Sequence, residues 1–298
     1  MMSKLNGVIV ILSLTALPVV AACGGGAPAD EEQAGTEDAQ AEAGPAVDPA
    51  VAATITGVVN FEGTAPEPES IDMDAEPDCA EKHPDGASTQ EVVVNDDGTL
   101  ANVFVHVREG LGDREFPASS DPVVLDQDGC VYHPHVFGIQ VGQTLTIRNS
   151  DGLLHNINAR PEENRPFNIS QPVDMDTERS FAVPEVMIPI QCDVHGWMQA
   201  YVGVVDHPYH AVSGDDGSFT LENLPPGEYV VEAWHERYGV QTANVTVGEQ
   251  ETEEIEFTYD AGMAQNADVP LGDPIDLHDD HGGDDPRITA VEDADGDG

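Results

Sequence analysis

Between residues 54 and 259 the apolar positions fall in short runs that alternate with polar ones, the period of a half-buried strand. Residues 54–61 are rich in β-branched side chains and run into Glu62-Gly63-Thr64, which predicts a strand and a turn. Residues 66–78 are acidic and loop-like. Residues 91–94 and 103–107 flank Asn95-Asp96-Asp97-Gly98, which predicts a hairpin with an Asp-Gly turn. His106 falls in its second arm as a strand-face residue with no special role. From Val123 onward the strands crowd together, at 123–125, 136–141, 145–149, 155–159, 180–183, 186–190 and 200–205, with Gly and Asp between them. No long helical period appears. Many short strands at this spacing predict an all-β chain built of sandwiches.

The ends follow other rules. Residues 1–22 carry one basic residue, Lys4, then an apolar run from Val8 to Val20 that is short for a membrane span and fits an export signal. Val20-Ala21-Ala22-Cys23 resembles the lipobox of bacterial lipoproteins, which implies lipidation of Cys23; an ordinary cleaved signal is the other reading. Residues 24–53 hold no aromatic side chain and cannot bury enough apolar surface to order themselves. They are expected to be a disordered acidic tether with a reach of roughly 30 Å. Residues 261–298 are expected to be a disordered acidic tail. His278-Asp279-Asp280-His281 reads there as solvated chain before it reads as a metal site.

Charge narrows the function. The chain of 298 residues has 57 Asp+Glu against 10 Lys+Arg, a formal charge of -47. Such a surface excludes nucleic acid as a partner and charge-driven binding to anionic membranes. Self-repulsion on this scale destabilises a compact state, and at about 1 M salt the Debye length of about 3 Å removes much of it. A salt-adapted protein is the expectation.

The candidate chemistry lies in Cys192-x2-His195-x2-Met198. Thiolate, imidazole and thioether within one loop suit copper better than magnesium or calcium. His155 is the candidate ligand from elsewhere in the chain. Residues 136–151, then His155-Asn156, then 192–198, resemble a cupredoxin, with the short ligand loop of amicyanin. The resemblance covers residues 122–206 and implies a Greek-key sandwich, over about 119–206, around one type 1 copper. His155, Cys192 and His195 would be its equatorial ligands and Met198 its long axial one. It further implies that Asn156 ties the ligand segments together near the thiolate. Val194 stands where the amicyanin-type loop has Pro and so keeps an N–H that could reach the sulfur. His195 and Trp197 would form a solvent-facing electron port.

Residues 215–235 resemble the later half of carboxypeptidase-regulatory-like (transthyretin-like) modules, and Gly57-Val58 resembles their opening strand. Residues 207–260 are therefore expected to form such a module. Residues 54–118 either supply its first half around an inserted cupredoxin or form a separate unit. Cys79 and Cys130 are left for a disulfide outside the cytoplasm, or for a zinc site with His83 and His133. The expected function is an exported, membrane-anchored blue copper protein of the cell envelope, not an enzyme, that passes single electrons to transient redox protein partners. A copper-delivery lipoprotein and a structural surface protein are the alternatives.

Overall fold

The structure, a computed structural model, describes residues 47–264. Cys23, the leader, most of the tether, and His278–His281 in the tail lie outside the described residues. The described chain is all-β and packs two large cores, one per sandwich, with a small cluster of Phe104, Val136 and Val205 between them.

The central sandwich faces a five-stranded sheet against a four-stranded one. The first runs Phe167–Gln171, His155–Ala159, Glu185–Gln191, Gln199–Val205, Val136–Gln140. The second runs Met175–Arg179, Leu145–Asn149, Val123–Asp128, Val131–His133. Their inward positions, among them Leu125, Ile139, Leu145, Ile147, Ile157, Ile188, Ile190 and Val202, are fully or nearly fully buried. The strand period puts His155 on the same face as Ile157 and Ala159, so this histidine enters the core side of the sheet.

The flanking sandwich is made from both ends of the described chain. Ala53–Glu62 lies parallel to Thr252–Asp260 over its whole length and antiparallel to Ser218–Leu224. Opposite them, Phe104–Glu109 lies between His210–Val212 and Gly227–His235, with Gly239–Val247 at the edge. Ile55, Val59, Val103, Val105, Leu221, Val231, Phe257 and Tyr259 fill one shared core, so residues 53–62 and 99–109 belong with 209–260. The central sandwich is the insertion between them. Where the two meet, Gly138 pairs with Gly203 on neighbouring strands, and a Cβ at either would strike the ring of Phe104. Two glycines give a bare sheet surface on which that ring can lie.

Three expectations change. The turn at Asn95–Gly98 forms, with Gly98 at φ 85° and Val94 bridged to Leu100. The strand after it does not return along the first arm. Phe104, Val105, His106 and Val107 are all buried, so that strand takes neighbours on both edges, from 210–212 and 227–235. The strand expected at 180–183 lies at Met175–Arg179, because Asn164 Oδ1 takes the N–H groups of Ala182 (2.8 Å) and Val183 (3.2 Å) that a ladder would need. Residues 54–118 do not stay together: Met73 and Cys79 pack in the central core, and residues 70–88 lie on that sandwich.

Candidate metal centre

The strand Glu185–Gln191 feeds a loop that returns as Gln199–Val205. Two backbone bonds close the loop, Cys192 N–H to Met198 O (3.1 Å) and Met198 N–H to His195 O (2.9 Å). Closure turns Cys192, His195 and Met198 inward; their exposures are 0%, 3% and 0%, and that of His155 is 0%. His155 Nδ1 lies 2.9 Å from His195 Nδ1, and Cys192 Sγ lies 3.9 Å from His195 Nδ1. One donor atom from each of His155, Cys192 and His195 falls within 4.8 Å of the others. Bonds of about 2.0–2.3 Å from two imidazoles and a thiolate to one ion fit such separations with small side-chain shifts. Met198 is buried in the same apolar cluster as Cys192.

A polar shell holds the loop. Asn156 Oδ1 accepts from Asp193 N–H (2.7 Å) and from the Cys192 thiol (3.3 Å). Its Nδ2 donates to Asp193 (2.9 Å) and Asn168 (2.8 Å), while Asn158 and Asn168 each donate to the same carboxylate. Burial pushes the Cys192 thiol up, but the two imidazoles and the N–H groups of Asn156 and His195 outweigh it and bring the thiol down to about 6. The fold thus favours a thiolate near neutral pH, the form that binds metal.

Asp151 was not singled out in the sequence. Its side chain is fully buried, and Oδ2 lies 2.8 Å from His155 Nε2. It also meets Lys82 Nζ (2.9 Å) and the N–H groups of Gly129 and Cys130 (2.7 Å each). Burial raises its carboxyl, yet these four donors hold it well below the usual carboxylate range. Its one visible signal is a position four residues before His155, and that position is equally ordinary for a turn.

The expected electron port is corrected. His195 is not solvent-facing: its Nε2 lies 3.7 Å from Cys79 Sγ, and Cys79 is disulfide-bonded to Cys130. Trp197 lies over the His195 ring and donates Nε1–H to Cys130 O (3.0 Å). The cause is residues 70–88, which fold across the ligand loop and are stapled there. The role expected of Val194 is corrected too. The N–H that reaches the thiolate is that of His195 (3.3 Å), and the Val194 side chain is exposed. The zinc reading also fails, since the disulfide takes both sulfurs, His83 bonds Gly129 O (2.6 Å) and His133 is exposed. For the same reason Cys130 cannot act as a thiolate ligand beside Asp151 and His155, although the three lie close together.

Residues 198–260 match the carboxypeptidase regulatory-like domain family. The match takes in the last strand of the central sandwich and the later strands of the flanking one. No curated protein sequence matches the chain. Among solved structures, the chain is similar to an oxidised amicyanin variant, at 18% identity, 34% of this chain, 97% of that one and TM-score 0.26. It is similar to a purple cupredoxin from Nitrosopumilus maritimus, at 22% identity, 28% of this chain, 97% of that one and TM-score 0.24. It is also similar to a copper-containing nitrite reductase from Thermus scotoductus, at 19% identity, 32% of this chain and TM-score 0.27, and spans 25% of that enzyme.

Proposed function

We propose that this protein binds one copper ion per chain through His155, Cys192 and His195, with Met198 as the fourth donor, and that it carries single electrons. The observation that supports the reading is the convergence of two Nδ1 atoms and one thiol sulfur in a buried pocket. Two imidazoles, a thiolate and a thioether select copper over harder divalent ions. Copper held there would supply a reversible one-electron change. The residues contribute rigidity: the Asn156–Asp193–Asn168 bonds hold the loop, and the cap excludes water. A delivery role would require the ligands to open, and a centre closed by a disulfide-stapled segment suits that poorly. Export and anchoring through Cys23 belong to the same proposal, supported by residues 1–22 alone.

The partner in this reading is a redox protein in a small, transient encounter. It would meet the cap over His195 rather than a bare imidazole edge. Voltammetry of the copper-loaded protein tests carriage: a reversible wave with one electron per copper is expected. An irreversible wave that strips the metal would instead favour delivery.

A further inference from the structure

Asp151 has two oxygens and meets four donors. Gly129 N–H and Lys82 Nζ share Oδ1, and Cys130 N–H and His155 Nε2 share Oδ2. An ionised carboxylate only accepts. The proton on the 2.8 Å contact therefore belongs to His155 Nε2, so in the neutral ring Nδ1 is the nitrogen with the lone pair, on the side of Cys192 and His195. The 2.9 Å contact between the two Nδ1 atoms then takes its proton from His195, whose Nε2 faces a disulfide sulfur that can only accept. Carboxylates that hold the far nitrogen of a metal-binding imidazole fix its tautomer and orientation, and their loss typically costs about 10–100-fold in metal affinity.

We infer that Asp151 is a positioning residue of the centre: it fixes the tautomer and angle of His155 and, through Cys130 and Lys82, ties that ring to the cap over His195. One carboxylate thus joins three segments far apart in sequence, at 82, 129–130 and 155. The inference rests on His155 being a ligand, but its first consequence is visible without metal.

The test has two arms. In the metal-free protein at about pH 8.5, above an ordinary imidazole pKa, long-range nitrogen–proton NMR should show His155 protonated at Nε2. A proton on Nδ1 alone overturns the inference, whatever copper does. In the second arm, Asp151→Asn keeps the shape but offers one acceptor oxygen in place of two. It should bind copper about 10–100-fold more weakly and shift the visible spectrum. Lys82→Met removes one of the four donors and should weaken copper binding less than Asp151→Asn does, because Gly129, Cys130 and His155 still hold the carboxylate. Asp151→Asn that stays folded with parental affinity and spectrum contradicts the inference. If that variant does not fold, the first arm decides. If the parent binds no copper, the reading of the centre fails while the NMR result on Asp151 still stands.

Discussion

Asn156 carries more of the centre than any other non-ligand named in the sequence. It accepts from Asp193 N–H and the Cys192 thiol and donates to two side chains, all at a site 6% exposed. Asn156→Ala leaves the Asp193 N–H without its partner, which costs about 1–3 kcal/mol. Chemical denaturation should show that loss, and the copper-loaded variant should show a displaced thiolate band. Val194→Pro should leave the reduction potential unchanged, because the N–H on the thiolate is that of His195; voltammetry on the pair checks this. The cluster of donor side chains was legible because Cys192, His195 and Met198 lie within seven residues and their chemistry is distinctive. Asp151 was not, because its role depends on where the turns at 129–130 and 151 meet, and spacing along the chain does not encode that.

At the level of elements, the strongly alternating strands were legible. Ala53–Glu62 buries every second residue, and residues 136–140, 145–149 and 199–205 show dense apolar runs. Met175–Arg179 lies at a sheet edge with mostly exposed side chains, so no apolar pattern marks it, and Phe167–Gln171 at the edge of the other sheet alternates Phe167 and Ile169 with polar residues over only five positions. The cap was illegible for a different cause: two-residue ladders and a four-residue helix carry no period, and a disulfide holds them in place. That disulfide joins residues 51 apart. Chain-entropy reasoning gives it about 4 kcal/mol. Replacing both cysteines by Ser should lower the melting temperature accordingly and open the His195 edge. An unchanged melt would mean that Met73 and its neighbours hold the cap without the bond.

The whole molecule combines an insertion with a large negative charge. The first and last described strands run parallel, about two hundred residues apart in sequence. No local pattern reveals such a pairing, although the module resemblance at 57–58 and 215–235 pointed to it. Two buried histidines of the flanking sandwich make stability depend on pH. Burial pushes His207 down to about 4, with His106 adding to the effect and Asp206 opposing it. Burial pushes His235 down to about 3, with His135 and Arg237 adding to it. In the unfolded chain both take up protons near 6.5. Acid therefore favours unfolding: their contribution is complete above about pH 6.5 and declines as pH falls toward 4. At about pH 5 the loss is roughly 2 kcal/mol per histidine, measurable by denaturation at pH 7 and 5. The charge of -47 predicts a melt that rises from low to molar salt.

The central claim is that His155, Cys192 and His195 converge on one copper ion. Titrating Cu(II) into the metal-free protein while recording visible and EPR spectra tests it directly. The expected result is an intense thiolate charge-transfer band and a narrow copper hyperfine, saturating at one copper per chain and lost in Cys192→Ala. A band that never appears, or that survives in Cys192→Ala, would contradict it.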